Sequence, residues 1–195
     1  MSNSTIVLFA KNTDVALMHR QPEVFECLMG KLADAVAAHL EYQVASGAEA
    51  VVLFDTWAGD LSRADYERFA APFSRRALES TVGKAPRVAF VRAGMHLLDS
   101  VAALGTEGMA LDWRVDLDDA FNRFGDRLAL QGNLDPTVLL GRPEDVRRRT
   151  RDVLAAARGR PGHILALGHG VLKWTDPEAV AAFVETAREF VPSAS

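Results

Sequence analysis

Five short apolar runs in this chain each stop at a small cluster of polar or glycine residues, which limits the folds available to it. The clusters lie at 54–59 (FDTWAG), 92–94 (RAG), 112–113 (DW), 131–136 (QGNLDP) and 168–170 (GHG). Buried parallel strands read as near-continuous hydrophobic runs, and in α/β barrels the functional groups gather where the strands end. The layout therefore predicts a parallel α/β sheet and the edge of that sheet that carries a site.

Helical patterns separate the apolar runs. Pro22 is suited to the first turn of a long helix on which apolar residues recur every four positions, and Gly47 is placed to end it. Ser62 and Asp65 have the spacing of a capping box, and Pro72 is expected to kink or divide the helix that follows. Helices are also predicted over 97–104, 116–125, from 143 and from 176, and strands over 50–54, 87–91, 108–111, 128–130 and 163–167.

The predicted order is α(βα)5, with connections that suit only right-handed crossovers in a parallel sheet. We interpret residues 1–195 as a single domain, in which residues 1–21 are an irregular lead-in or contain a strand over 6–9. A full (β/α)8 barrel takes roughly 250 residues, so about five strands are expected here rather than eight.

Composition excludes several classes of function. The net charge of −4 argues against a nucleic-acid partner. The only cysteine, Cys27, excludes an internal disulfide and leaves too few thiols for a zinc ribbon or an iron–sulfur cluster. No run approaches about 18 apolar residues, and the first residues lack a signal-peptide pattern. We therefore expect a soluble, cytoplasmic protein without a membrane partner.

The strand-end clusters also carry a resemblance. Residues 47–48 running into 54–59, then 108–113, 130–136 and 167–170, closely resemble in this order the carboxy-terminal part of the uroporphyrinogen decarboxylase family. The most specific element is Leu111-Asp112-Trp113 followed by the segment 130–136. The resemblance extends from about Ala16 to Phe190, which is nearly the whole chain.

The resemblance implies a partial (β/α)8 (TIM) barrel, with about five of the eight strands in this chain. It implies a lyase of haem biosynthesis that decarboxylates the acetate arms of uroporphyrinogen III to give coproporphyrinogen III. It also implies a homodimer that uses no metal and no organic cofactor. Such chemistry needs cationic groups for carboxylates, a group that binds pyrrole N–H atoms, and proton donors.

The resemblance places two family site positions on this chain, the hydroxyl of Thr56 and the imidazole of His169. We predict Asp55 and Arg92 as further substrate-binding residues, although Asp55 is equally suited to holding a neighbouring loop and Arg92 to being a surface charge. The family's pyrrole-binding aspartate, arginine-rich segment and tyrosine have no counterpart here. No catalytic residue is therefore predicted, and the chain alone is expected to be inactive. Ala166 stands where the family usually has asparagine.

Other conspicuous residues have structural interpretations. We expect Asp112 and Trp113 to pack behind the site, and the segment 131–135 to shape a turn and cap a helix. The arginines at 147–149 and 151 lie near Glu144, Asp145 and Asp152, a pattern typical of a solvated helix face.

Two alternative functions stay open. One is a non-catalytic fragment, or half of a split enzyme that associates with a separate amino-terminal chain, because an incomplete sheet presents unpaired edges. The other is corrinoid-dependent methyl transfer, which needs zinc held by histidine and cysteine. The strand end at 92–94 has neither residue, so the second alternative is the weaker one.

Overall fold

A computed structural model describes residues 13–190 of the chain, and side chains from residue 15 onward. The interpretation of residues 1–21 as irregular is wrong from Thr13 onward, because Thr13–Arg20 forms helix α1. Its last turn carries His19 and Arg20, where positive charge complements the helix dipole. The alternative strand at residues 6–9 lies outside the described residues.

Helix α2 (Pro22–Ala45) begins at Pro22 as predicted and is followed by Gly47 with φ of 98°. A residue with a side chain is strained at this φ, so glycine suits the end of the helix. The four-residue apolar repeat does not stay on one face, since an α-helix turns once every 3.6 residues. Val24, Leu28 and Leu32 are consequently exposed, whereas Phe25, Met29, Ala33, Val36 and Leu40 are buried.

The five predicted strands are confirmed as a five-stranded sheet in the order β1-β2-β3-β4-β5. The strands are β1 (Val51–Phe54), β2 (Arg87–Phe90), β3 (Gly108–Ala110), β4 (Ala129–Gln131) and β5 (His163–Ile164). Strands β1 and β2 pair in parallel, as do β4 and β5. Between Met109 and Ala110 the chain divides into two compact units.

In the first unit, helices begin and end close to the residues that the sequence predicts. Ser62 caps α3 (Arg63–Phe69) by accepting a hydrogen bond from the backbone N–H of Asp65 at 3.1 Å. Pro72 lies in the first turn of α4 (Ala71–Glu79), so the predicted helix is divided rather than kinked. A 3-10 turn over Met95–Leu97 precedes α5 (Leu98–Ala102).

Arg87, the first residue of β2, connects this strand to the segment that precedes β3. Its guanidinium is almost fully buried and donates to both carboxylate oxygens of Glu107, at 2.7 and 3.1 Å. It also donates to the carbonyl of Gly105 at 2.6 Å. These bonds from Arg87 lower the pKa of Glu107, and they tie the start of β2 to the residues before β3.

The second unit contains three α-helices, two of them with side-chain caps, and a 3-10 helix. Asp116 caps α6 (Leu117–Phe124), and Asp176 caps α8 (Pro177–Glu189). Asp135 is an N-cap as predicted, but the segment that it opens, Pro136–Leu140, is a 3-10 helix. Helix α7 (Pro143–Ala156) packs with α8 around a core of Leu134, Leu139, Val146, Ala179 and Ala182.

The predicted last strand over 163–167 is wrong in length. Regular pairing covers only His163–Ile164, and Leu167 rejoins the sheet through an isolated bridge to Leu134. The partner strand leaves regular β geometry at Gly132, whose φ is 141°. This turn interrupts the ladder between the two paired sites, although Leu134 N–H still donates to the carbonyl of Ala166 at 3.1 Å.

Across residues 13–190, none of the helices has the length and apolar character needed to cross a membrane.

Candidate functional site

The loops after β1 and β2 form what we call the first strand-end cluster, residues 55–59 and 92–94. A Cβ atom on Gly59 would lie 1.9 Å from the carbonyl oxygen of Arg92. No side chain fits there without displacing backbone, so glycine permits the two loops to touch. Gly59, which belongs to the motif after β1, therefore permits the ends of β1 and β2 to pack against each other.

Asp55 lies at the base of this cluster and is only 2% exposed. Its backbone N–H donates to the carbonyl of Phe90 at 2.8 Å, which extends the β1–β2 ladder by one residue. The carboxyl Oδ2 accepts a long hydrogen bond of 3.5 Å from Ser74. Burial raises the pKa of Asp55 from 3.8 to about 7, against smaller opposing effects of hydrogen bonds from Ser74 and Ala58.

Tyr66 of α3 extends this polar group into the core. The side chain is fully buried, and burial raises its pKa, with a further increase from the negative charge of Asp55. Among the described residues, neither the hydroxyl of Tyr66 nor Oδ1 of Asp55 has a hydrogen-bond partner. Asp55, Ser74 and Tyr66 therefore form a buried polar group, of which the sequence predicted only Asp55, the residue next to Thr56, as a site residue.

Thr56 and Arg92 lie in the first strand-end cluster and are both half-buried. Thr56 is the first residue beyond the β1–β2 ladder. The guanidinium carbon of Arg92 lies 5.7 Å from the ring centroid of Trp57, within the range of a cation–π contact. The cluster thus holds three of the four predicted binding residues, Asp55, Thr56 and Arg92. Their contact with substrate stays a prediction.

The loops after β3, β4 and β5 form the second strand-end cluster, residues 112–114, 131–135 and 168–170. A Cβ atom on Gly168 would lie 2.3 Å from the backbone nitrogen of Trp113, so glycine again permits close approach. The buried amide of Asn133 donates to the carbonyls of Asp112 at 3.0 Å and Val115 at 2.7 Å. Asn133 therefore joins the loop after β4 to the loop after β3, a role beyond the turn that the sequence predicted for 131–135.

His169 lies half-buried in this second cluster, with its ring edge-on to the indole of Trp113 and 6.3 Å between centroids. Its Nδ1 accepts a hydrogen bond of 2.7 Å from the backbone N–H of Gly170. A neutral imidazole that accepts at Nδ1 carries its proton on Nε2. The hydrogen bond from Gly170 therefore places the proton of the neutral His169 ring on Nε2, the atom through which the ring donates. The role of His169 as a substrate-binding residue stays a prediction.

Arg114 is the residue of this cluster that sequence reasoning missed. Its Nη1 donates to Oδ2 of the buried Asp112 at 2.6 Å, and its guanidinium lies over the Trp113 ring at 4.0 Å from the centroid. The signal was present, because an arginine two residues after an aspartate at a strand end can fold back on it. Asp112 and Trp113, which the sequence predicts to pack behind the site, are thus the two residues that hold Arg114 in place.

The remaining polar features lie elsewhere. Within residues 15–190, no group of three histidine, cysteine, aspartate or glutamate side chains could hold a metal ion. Arg148 is exposed and pairs with Asp145, and the partly exposed Arg147 pairs with Glu185, in agreement with a solvated helix face. A cavity of about 280 Å³ adjoins Trp113 and Asn133, and Arg149 lines its far side. Its volume falls just below the range of about 300–1,000 Å³ that encloses drug-sized ligands.

The chain is similar to known proteins over most of its length. The family model of uroporphyrinogen decarboxylase (URO-D) matches residues 11–190. A uroporphyrinogen decarboxylase of Chromohalobacter salexigens is 40% identical over 182 residues, which are 91% of this chain and 52% of that protein. The protein of the same name in Streptomyces coelicolor is 46% identical over 171 residues, 87% of this chain and 48% of that protein. The chain thus spans about half the length of the curated relatives it matches.

A solved structure also resembles this chain. A methyltransferase from Methanosarcina mazei superposes with a TM-score of 0.80, over 91% of this chain and 52% of that chain. The two sequences are 21% identical, so the likeness shows a shared fold alone.

Proposed function

This chain belongs to the uroporphyrinogen decarboxylase family, and we propose that it forms the carboxy-terminal part of a lyase that decarboxylates the acetate arms of uroporphyrinogen III. Residues 1–195 would then be a single domain that contributes about five of eight barrel strands. The observation that carries the proposal is the family match over residues 11–190, which includes every strand-end segment described above.

The proposed chemistry assigns binding rather than proton transfer to this chain. Protonation of an electron-rich pyrrole makes the ring an electron sink, and the carbon–carboxylate bond breaks to release carbon dioxide. A second proton then completes the methyl group, and the ring loses the first proton to become a neutral pyrrole again. Thr56 and His169 would donate hydrogen bonds to the substrate, and Arg92 would attract a carboxylate. Asp55 would contact the substrate or, through its buried carboxyl, hold the loop that carries Thr56.

We propose that the chain is inactive alone, because the family's pyrrole-binding aspartate and arginine-rich segment have no counterpart in it. Activity would require association with a polypeptide that supplies the amino-terminal strands. The family resemblance also implies that the protein forms a homodimer. The protein would act in the cytoplasm without a metal or an organic cofactor.

The test supplies uroporphyrinogen III to the purified chain, with and without the amino-terminal segment of the Streptomyces coelicolor relative as a separate polypeptide. Products are oxidised and separated by chromatography. We expect coproporphyrin to form only when both polypeptides are present, and Thr56→Val to slow its formation. Turnover by the chain alone would refute the inactivity, whereas no turnover by a stable complex would refute the lyase assignment.

A further inference from the structure

We propose that Arg114 is a carboxylate-binding residue beside His169, so that the second strand-end cluster holds carboxylate arms of the substrate between two hydrogen-bond donors. This inference rests on the proposed function, because it takes the substrate to be a polycarboxylate. Neither the family positions mapped on the sequence nor the resemblance assigned a role to Arg114.

The position of Arg114 is fixed from two sides. Asp112 is only 1% exposed, and its two carboxylate oxygens accept from the backbone N–H of Arg114 at 2.8 Å and from Nη1 at 2.6 Å. The Trp113 ring supports the guanidinium from below, at a distance typical of a cation–π contact. An arginine held in this way loses little rotamer freedom when it binds a ligand.

The guanidinium retains capacity for a ligand. It has five N–H donors, and the carboxylate of Asp112 engages the terminal nitrogen Nη1. The side chain is 40% exposed, so the rest of the group faces solvent that a ligand can replace. Arginine matches a carboxylate through two parallel hydrogen bonds, which are stronger than bonds between neutral groups.

His169, the second donor, contacts the same ring as Arg114. The Trp113 centroid lies 4.0 Å from the guanidinium carbon of Arg114 and 6.3 Å from the His169 centroid. Those two groups are therefore no more than about 10 Å apart. A porphyrinogen carries carboxylate arms on adjacent carbons of each pyrrole. Such a pair of arms suits one charged fork and one neutral Nε2–H donor around an aromatic side chain.

The test measures binding of uroporphyrin III, the oxidised and fluorescent form of the substrate, by fluorescence anisotropy with the full chain. Arg114→Leu is expected to weaken binding at least about tenfold, since a hydrogen bond to a charged group typically carries that much affinity. Arg114→Lys keeps the charge and loses the fork, so its affinity should fall between those of wild type and Arg114→Leu.

Arg123→Leu is the matched control. Arg123 is 39% exposed, pairs with Asp119 and lies over the Phe124 ring at 4.7 Å, but it belongs to helix α6 rather than to a strand end. Its loss should leave porphyrin affinity within about twofold of wild type. A tetracationic porphyrin tests the ring without the carboxylates, and Arg114→Leu should not weaken its binding.

Loss of Arg114 leaves the Asp112 carboxyl buried without its charged partner, which could reduce stability. The double variant Asp112→Asn/Arg114→Leu removes both charges and keeps an acceptor for the backbone N–H of Arg114. It should unfold near the wild-type temperature and still bind uroporphyrin weakly. Wild-type affinity in this variant or in Arg114→Leu, or an equal loss in Arg123→Leu, would overturn the inference alone. Failure of wild type to bind uroporphyrin would instead count against the proposed function and this inference together.

Discussion

The buried carboxyl of Asp55 should make the stability of this protein fall as the pH rises through the acidic and neutral range. In the folded chain its pKa is raised to about 7 by burial, whereas the ordinary value is 3.8. Between these two values the folded state keeps a proton that the unfolded state has released. The contribution of Asp55 to stability is therefore fully present below the ordinary pKa and declines as the pH rises to 7 and beyond.

The magnitude follows from the size of the shift. Each unit of pKa difference corresponds to about 1.4 kcal/mol, so the full window amounts to about 4 kcal/mol for this one group. Asp55→Asn keeps the shape of the side chain and its acceptor for Ser74 but cannot ionise. Relative to wild type, the variant should gain about 1 kcal/mol of unfolding free energy for each pH unit between 5 and 7, because Asp55 in the folded wild type becomes partly ionised as the pH nears 7.

Urea unfolding followed by circular dichroism at pH 5, 6 and 7 measures this difference. Comparison of variant with wild type cancels the titration of the other groups that the two proteins share. Asp60→Asn, which removes an exposed carboxyl from the same loop, controls for the loss of one negative charge. A difference between Asp55→Asn and wild type that is constant with pH would show that Asp55 is not held protonated, and the argument from burial would fail.

Two further substitutions test the packing of the strand-end loops and the contact between Arg87 and Glu107. Gly168→Ala forces a Cβ atom against the backbone of Trp113 and should cost about 1–3 kcal/mol of unfolding free energy in urea, whereas Gly170→Ala meets no atom within 4 Å and should be nearly neutral. Arg87→Met removes a buried guanidinium whose partner Glu107 is half-exposed and should cost about 1–3 kcal/mol in the same assay, whereas Arg76→Met removes an exposed pair and should cost less than about 1 kcal/mol. An equal loss of unfolding free energy in the two glycine variants, or in the two arginine variants, would contradict the contacts described here.

Much of the secondary structure could be predicted because its signals are local. Proline in a first turn, an aspartate or serine N-cap and a glycine after the last turn act within a few residues, and they set the bounds of α2, α3, α6 and α8. Strand β5 was predicted correctly but with the wrong length, because its length depends on its neighbour. Gly132 bends β4 away from regular pairing, and nothing in the apolar run over 163–167 records that bend.

The composition of the strand-end clusters was likewise readable, but the direction of each side chain was not. Asp55 follows an apolar strand in the sequence, yet only folding places its carboxyl among buried side chains beside Ser74 and Tyr66. Arg114 is an unremarkable basic residue in the sequence, and only the buried Asp112 fixes it against Trp113.

The sequence alone determined the parallel α/β class, the order of the elements and the family, since these follow from hydropathy, local capping and short motifs. The tertiary structure decided which polar groups lose water and which face it. Those outcomes depend on residues far apart in the chain, such as Ser74 beside Asp55 or Gly168 against Trp113. Burial and charge pairing are properties of such assembled neighbours, so no single segment encodes them.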